Sequence, residues 1–101
     1  MEFEFDSVKS ESNKIKHGIS FEEAQEMWLV PGVELKARFT NESRFLRIAQ
    51  LDKKFYTSFF TVRKDHIRLI SVRRSRSSEI RVYEEEIKSN EGTAQKENYG
   101  E

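Results

Sequence analysis

Residues 67–86 read IRLISVRRSRSSEIRVYEEE, and they join the last predicted strand to the last predicted helix. Four of the first six residues are apolar, which is typical of a strand, and three arginines follow within the next four positions. The acid-rich segment after them carries apolar residues spaced three and four positions apart, which form one stripe of a helix. The stretch therefore predicts a strand over about 66–72, a basic junction and a helix over about 77–88.

The charge of the 101-residue chain sums to zero, but it is distributed unevenly. Residues 63–83 hold seven Lys and Arg against two Asp and Glu, net +5, whereas residues 84–101 hold two against six, net −4. Local fields decide what binds to a surface patch, so a neutral total does not exclude a charged site. The basic block predicts a polyanionic ligand or an acidic partner.

Length and composition predict one domain over residues 1–88, followed by a flexible acidic tail over 89–101 with almost no apolar content. The N-terminus MEFEFDSVKS has no apolar signal core, and no apolar run approaches about 20 residues. The chain lacks cysteine, so neither a disulfide nor a thiolate metal site is expected. These features predict a cytoplasmic protein that does not enter a membrane.

The first predicted helix runs over about 7–17. Asp6 is placed to cap its beginning, and Gly18 is placed to end it. Val8 and Ile15 lie two helical turns apart, so we expect them to share one face of the helix.

A capping box begins the second predicted helix, because Ser20 precedes Glu23 by three positions. This helix is expected to run to about Leu29. Its apolar face is formed by Phe21, Ala24, Met27 and Trp28.

Alternating apolar residues predict strands after the helices, over 33–39, 44–51, 55–62 and about 66–72. Short turns between them predict an antiparallel meander, and FEF at 3–5 predicts a further short strand. The predicted fold is α+β, an antiparallel β-sheet with helices packed on it, in the order β-α-α-β-β-β-α.

Two motifs together resemble the signatures of one known family. SNKIKHGISFEEA at 12–24 is similar to its N-terminal pattern, N-x-x-K-H-G-[IV]-x-F-E-E-A. IRLISVR at 67–73, with Glu79 and Tyr83 downstream, is similar to its C-terminal pattern, R-x-I-S-x-R-x-x-x-x-x-E-x-x-x-Y. By these motifs residues 2–86 resemble BrnT, the toxin of a type II toxin–antitoxin pair.

The resemblance implies a RelE-like fold and a metal-independent endoribonuclease that inhibits translation by cutting RNA. It also implies a cognate BrnA-like antitoxin, which neutralises the toxin in a hetero-oligomer and carries a ribbon-helix-helix domain. Operator DNA would be contacted indirectly, through that antitoxin. No cofactor is implied.

Metal-free cleavage of RNA makes defined demands on side chains. The 2′-hydroxyl attacks the adjacent phosphorus, which gives a 2′,3′-cyclic phosphate and a 5′-hydroxyl end, and negative charge builds on the phosphorane oxygens. Guanidinium groups suit this chemistry because they stay protonated and donate two hydrogen bonds at once to a phosphate. Two isolated histidines and no cysteine form no recognisable set of metal ligands.

Arg68, Arg73 and Arg74 are the first catalytic candidates. Side chains alternate along a strand, so Arg68 and Arg73 point to opposite faces unless a bulge or the strand end intervenes, whereas Arg74 shares the face of Arg68. We expect Arg68 and at least one of the other two to reach one groove. The alternative is that these arginines are solvated, or paired with Glu79 or with an acidic antitoxin.

Glu79 and Tyr83, both on the final helix, are further catalytic candidates. Glu79 lies in the first turn, where stabilisation of the helix terminus explains it equally well, and it could also orient an arginine. Tyr83 lies one turn later and could stack on a base or donate a proton. Packing of its ring in the core is the interpretation that we favour.

Four more residues are predicted to contact RNA: Lys16, His17, Arg44 and Arg76. His17 precedes Gly18, so its side chain also suits the C-terminal end of the first helix. Arg76 stands where relatives of the BrnT type often have threonine, so we expect Ser75 or Ser77 to cap the last helix.

The sequence leaves two functions open. The first is an endoribonuclease toxin that uses the arginine-rich groove. The alternative is a non-catalytic module that binds nucleic acid or a partner, such as a degenerate toxin acting as co-repressor with its antitoxin. Incubation of the purified protein with RNA in the presence of EDTA distinguishes the two.

Overall fold

The computed structural model describes residues 2–37 and 43–97, and their side chains as far as residue 89. Phe39, predicted to end a strand, and residues 98–101 of the predicted tail lie outside the described residues. The elements are β1 Glu2–Glu4, α1 Ser7–His17, α2 Phe21–Ala24, a 3₁₀ turn Gln25–Trp28, β2 Gly32–Ala37, β3 Arg44–Leu51, β4 Lys54–Arg63, β5 His66–Arg74 and α3 Ser77–Glu97.

The chain forms an α+β fold around a five-stranded sheet with the strand order β1-β5-β4-β3-β2. Strands β2 to β5 are antiparallel neighbours, as predicted. The prediction of a wholly antiparallel sheet is wrong, because β1 pairs with β5 in parallel and the sheet is mixed. No hairpin joins these two strands, so no tight turn forces them to be antiparallel.

The predicted element order is also wrong by one strand. Four strands follow the second helix, which gives β-α-α-β-β-β-β-α. Asp52 and Lys53 join β3 to β4 with φ values of 54° and 70°, the left-handed conformation that a tight hairpin turn requires. Each of the four predicted strands is present, although β2 is described only as far as Ala37.

Helices α1 and α2 and the 3₁₀ turn cover one face of the sheet, which we call the core face. Phe21, Ala24 and Met27 are buried there against strand residues that include Tyr56 and Phe60. The predicted capping box is confirmed: the Ser20 hydroxyl accepts the Glu23 N–H, and the Glu23 carboxylate accepts the Ser20 N–H. The predicted helix splits into α2 and the 3₁₀ turn, which ends at Trp28.

The buried face of α1 is polar. Asp6 and Gly18 cap the helix as expected. Val8 and Ile15 are exposed, with 71% and 86% of their surface accessible, and the buried residues of the helix are the polar Ser10 and Asn13. Hydrogen bonds, rather than apolar contacts, therefore attach α1 to the sheet.

Asn13 makes the attachment at the edge of β5. Strand β1 pairs only with the first three residues of β5, so the backbone of Val72 has no neighbouring strand on that side. The Asn13 side chain takes the place of a strand: its Nδ2 donates to the carbonyl oxygens of Val72 and Ile19, and its Oδ1 accepts the Val72 N–H. These bonds satisfy buried backbone groups that would otherwise be unpaired.

Helix α3 packs on the opposite face of the sheet, where it contacts β2 and β3. Val33 and Ile48 are buried beneath it, apart from the cluster on the core face. The Tyr83 ring packs edge-on against Phe55, with ring centroids 5.2 Å apart. The helix continues to Glu97, so the predicted end near Lys88 is wrong, and part of the segment predicted as a tail is helical.

Within the described part of the chain, no helix is long and apolar enough to cross a membrane.

Candidate functional site

A bulge in β5 brings Arg68 and Arg73 to one face of the sheet. Arg68 pairs with Thr61 of β4 and Arg73 pairs with Thr57, and Ile70 between them has no partner because the register shifts once. Thr57 and Thr61 lie four residues apart and therefore share a face, so their partners do too. The two arginines lie about 13 Å apart along the strand direction. We call this side of the sheet the arginine face.

Arg74 lies on the other side of the sheet. It pairs with Tyr56, which belongs to the cluster on the core face. Its guanidinium carbon lies 5.9 Å from the centroid of the Tyr56 ring. The extra residue in the bulge thus brings Arg73, and not Arg74, to the face of Arg68.

A bidentate ion pair holds Arg73 against the beginning of α3. Arg73 Nη1 lies 2.9 Å from Glu79 Oε1, and Arg73 Nη2 lies 2.8 Å from Glu79 Oε2. Both side chains are largely buried, at 22% and 17% accessible. Charge-assisted pairs of this geometry are among the strong hydrogen bonds of proteins. The ion pair therefore fixes where the guanidinium of Arg73 points.

The carboxylate of Glu79 is ionised and accepts four hydrogen bonds. Besides Arg73, it accepts the backbone N–H of Arg76 at 2.8 Å and the hydroxyl of Thr57 at 2.9 Å. Burial alone would raise its pKa, but these hydrogen bonds, led by that from Arg73, lower the pKa from 4.5 to about 2. The same ion pair raises the pKa of Arg73. At neutral pH a carboxylate with so low a pKa is a poor proton acceptor and has no proton to donate.

Part of the Arg73 guanidinium remains available. Three of its N–H groups are used, two on Glu79 and one of Nη1 on the carbonyl oxygen of Arg74. Among the described residues, the Nε–H and the second N–H of Nη2 have no acceptor, and they lie along one edge of the group. The guanidinium carbon also sits 5.3 Å from the centroid of the Phe59 ring. The free edge is a two-donor fork, the shape that matches a phosphate.

Thr57 and Ser75 extend the support of Glu79, and the sequence did not single out either residue for this role. Thr57 is completely buried on β4, and its hydroxyl lies 2.8 Å from the Ser75 hydroxyl and 2.9 Å from Glu79 Oε1. Because Thr57 has one hydroxyl hydrogen and gives it to the carboxylate, Ser75 is the donor to Thr57. Only the register of β4 against β5 places Thr57 beneath Glu79, so no local motif marks it.

The beginning of α3 explains the arginine at position 76. Glu79 accepts the Arg76 N–H, which is one half of a capping box, and the N–H groups of Glu79 and Ile80 reach the Arg76 carbonyl. The helix begins at Ser77, as predicted. The prediction that Ser75 or Ser77 caps the helix is wrong, because Ser77 is the first helical residue and the Ser75 hydroxyl bonds to Thr57. The Arg76 side chain is exposed.

Arg68 and Arg44 lie at the open part of the arginine face. Arg68 makes one ion pair, with Glu4 of β1 at 3.4 Å, and its side chain is 40% accessible. Arg44 begins β3 and, by strand alternation, points to the same face. Its buried Nε and the buried hydroxyl of Thr61 have no hydrogen-bond partner among the described residues.

The remaining candidates lie apart from the arginine face or serve the core. Lys16 and His17 end α1 and line a cleft between that helix and β5, where Ser71 forms part of the opposite wall. Tyr83 is half-buried and packs on Phe55. Across residues 2–37 and 43–97, no group of three or more His, Cys, Asp or Glu side chains could hold a metal ion.

Comparison with known proteins identifies the family. A family described as "Ribonuclease toxin, BrnT, of type II toxin-antitoxin system" matches residues 5–79. No curated protein matches the chain. The matched range runs from before α1 to Glu79, so it contains Arg68, Arg73 and the carboxylate that holds Arg73. Because it covers most of the sequence, the chain belongs to the BrnT family of ribonuclease toxins of type II toxin–antitoxin systems.

Proposed function

We propose that this protein is a metal-independent endoribonuclease whose active site is the arginine face. The observation that carries the proposal is the β5 bulge, which aligns Arg68 with Arg73 and leaves Arg73 held by Glu79. The arrangement supplies one immobilised guanidinium group, that of Arg73, and a second guanidinium group on the same face. Such preorganised donors stabilise charge that develops in a transition state, because they need not reorganise during the reaction.

Arg73 is proposed to contact the reacting phosphate. Its free Nε–H and Nη2–H form a fork that suits two phosphorane oxygens, and Glu79 prevents the group from turning away. Glu79 then acts as a positioning residue rather than as the acid or base, which agrees with its occupied oxygens and its lowered pKa. Loss of one donor to a developing oxyanion typically lowers kcat by about 100- to 1,000-fold.

Arg68 is proposed to bind a neighbouring phosphate. Its spacing of about 13 Å from Arg73 along β5 fits two positions on one RNA backbone better than one shared phosphate. Arg44 lies on the same face and is proposed to add to this contact. Arg76 is proposed to contact RNA at the beginning of α3, where its side chain is exposed. We assign Tyr83 to packing against Phe55 and Arg74 to the core face.

The family implies an antitoxin partner. We propose that this antitoxin is BrnA-like, neutralises the toxin by forming a hetero-oligomer, and contacts operator DNA through a ribbon-helix-helix domain. We further propose that the sheet and helices form a RelE-like fold. Cleavage of cellular RNA in the cytoplasm would inhibit translation and growth.

Incubation of the purified protein with end-labelled RNA in EDTA tests the proposed activity. We expect cleavage products with 2′,3′-cyclic phosphate ends. Arg73→Ala is expected to lower kcat by about 100-fold or more, because it removes a transition-state contact. Arg68→Ala is expected mainly to raise KM, because it removes a contact that substrate and transition state share.

Arg74→Ala is the matched control, since it removes an adjacent arginine from the opposite face of the sheet. It is expected to leave both constants within about threefold of the wild type, well short of the effect of losing a transition-state contact. Arg73→Lys keeps a cation beside Glu79 and guards against a loss of activity through unfolding. Intact RNA at high concentrations of wild-type protein would refute the enzyme and favour the non-catalytic module. Equal effects of Arg73→Ala and Arg74→Ala would refute the assignment of the site.

A further inference from the structure

The cleft between α1 and β5 has the composition of a polyanion-binding site. The cleft has a volume of about 290 Å³. Among the described residues, those that line it include two lysines, one histidine and two serines, and no carboxylate. The polar side chains are those of Lys9, Ser12, Lys16, His17 and Ser71, with Asn13 at the base of the helix contact.

From this cleft we infer a second RNA-binding site, which takes the phosphate backbone of the strand as it leaves the arginine face. The inference rests on the proposed function and extends the same site. Lys9 and Lys16 lie two helical turns apart on one side of α1, both exposed, so they form a short row of positive charge beside β5.

The cleft is continuous with the arginine face at the bulge. Ser71 pairs with Phe59 and faces the same side as Arg73, and it also forms part of the cleft wall. Beyond Arg68, no strand of the described residues pairs with β5 on the side of β1, because β1 ends at Glu4. An RNA strand can therefore pass from Arg73 over Ser71 to the lysines without crossing another element of the described fold.

The charges on either side of the cleft favour an RNA path from the arginine face into the cleft. At the other end of β5, Glu2 lies 3.0 Å from His66 and Glu4 lies 3.4 Å from Arg68. These carboxylates place negative charge beyond Arg68, so a phosphate backbone that contacts Arg68 is not drawn further towards β1. On the far side of α1, Lys14 is paired with Glu23 at 2.9 Å and is thereby partly neutralised. The lysines in the cleft make no such ion pair among the described residues, so they remain available to phosphates.

The dependence of RNA affinity on salt tests the inference without requiring cleavage. The probe is a short single-stranded RNA of mixed sequence with 2′-O-methyl groups, which the proposed reaction cannot cut. Each phosphate contact to a single strand contributes about 0.7 to the slope of log K against log salt. We therefore expect the double variant Lys9→Ala/Lys16→Ala to reduce the slope by about 1.4, and to weaken binding by about tenfold or more at roughly 0.1 M salt.

Lys36→Ala/Lys88→Ala is the matched control, because it removes the same charge from exposed positions on β2 and α3, away from the cleft. Equal changes in slope and affinity for the two double variants would overturn the inference. Wild-type protein that binds the probe with the expected difference but leaves unmodified RNA intact would refute the proposed catalysis and support the cleft as a binding site. Cleavage by the wild type with no difference between the double variants would refute the cleft alone.

Discussion

Of the charged groups in the site, the Glu79 carboxylate is expected to make the largest electrostatic contribution to the stability of the fold. Glu79→Gln keeps the size of the side chain and removes its charge. The amide nitrogen cannot accept a hydrogen bond, so one of the two bonds to Arg73 is lost and the guanidinium faces a donor instead of an anion. We expect this variant to be less stable than the wild type at neutral pH.

The magnitude follows from the pKa of Glu79. A fall from 4.5 to about 2 corresponds to about 3 kcal/mol of preferential stabilisation of the ionised form. Solvent screens part of this effect because the pair is not completely buried, so we expect about 1–2 kcal/mol in the free energy of unfolding. Folding lowers the pKa, so the contribution is complete above about 4.5 and is lost as the pH falls from 4.5 towards 2.

Urea denaturation of both proteins at neutral pH and at a pH of about 3 measures this contribution. The difference between wild type and Glu79→Gln should be largest at neutral pH and should lose more than half of its pH-dependent part by a pH of about 3. Glu84→Gln is the control, since Glu84 is exposed on the same helix. A difference that is the same at both pH values, or equal for the two variants, would show that the Arg73–Glu79 pair does not stabilise the fold electrostatically.

Two further substitutions test how α1 is attached and ended. Asn13→Ala should lower the free energy of unfolding by about 2–4 kcal/mol, because it leaves buried backbone groups of Val72 and Ile19 unpaired. Hydrogen exchange of the Val72 amide should become faster in this variant. A change below about 0.5 kcal/mol in the free energy of unfolding would contradict the role of Asn13 as a substitute strand. Gly18→Ala should lower the free energy of unfolding by about 1 kcal/mol, because Gly18 has a φ of 79°. No atom lies within 4 Å of an added Cβ, so the loss comes from backbone conformation and not from a clash. In thermal denaturation, Gly18→Asn should be intermediate in stability between the wild type and Gly18→Ala, and an alanine variant as stable as the wild type would refute this reasoning.

Local signals in the sequence were sufficient for most of the elements and for the family. The caps at Asp6, Gly18 and Ser20 follow from backbone groups within a few residues, so spacing alone predicts them. Strands β3 to β5 were predictable because alternation and short turns are local patterns. The two signature motifs, read together, indicated the BrnT family, which the match over residues 5–79 confirms.

Contacts between segments that are distant in the sequence decided which arginines share a face of the sheet, and the local pattern could not predict this. Alternation predicts that Arg68 and Arg74 share a face, but the unpaired Ile70 reverses the pattern and selects Arg73. Sequence does not mark this bulge, because its position depends on how β5 pairs with β4. The support of Glu79 by Thr57 depends on the same register.

The burial of α1 was likewise decided by tertiary contacts and not by the local pattern. Val8 and Ile15 have the spacing of a buried stripe, yet both are exposed, because the free edge of β5 needs hydrogen bonds and Asn13 provides them. The sequence by itself determined which segments are helices and strands and which family they belong to. Only the tertiary structure decided which arginine joins Arg68, since a single extra residue in a strand turns every following side chain to the other face.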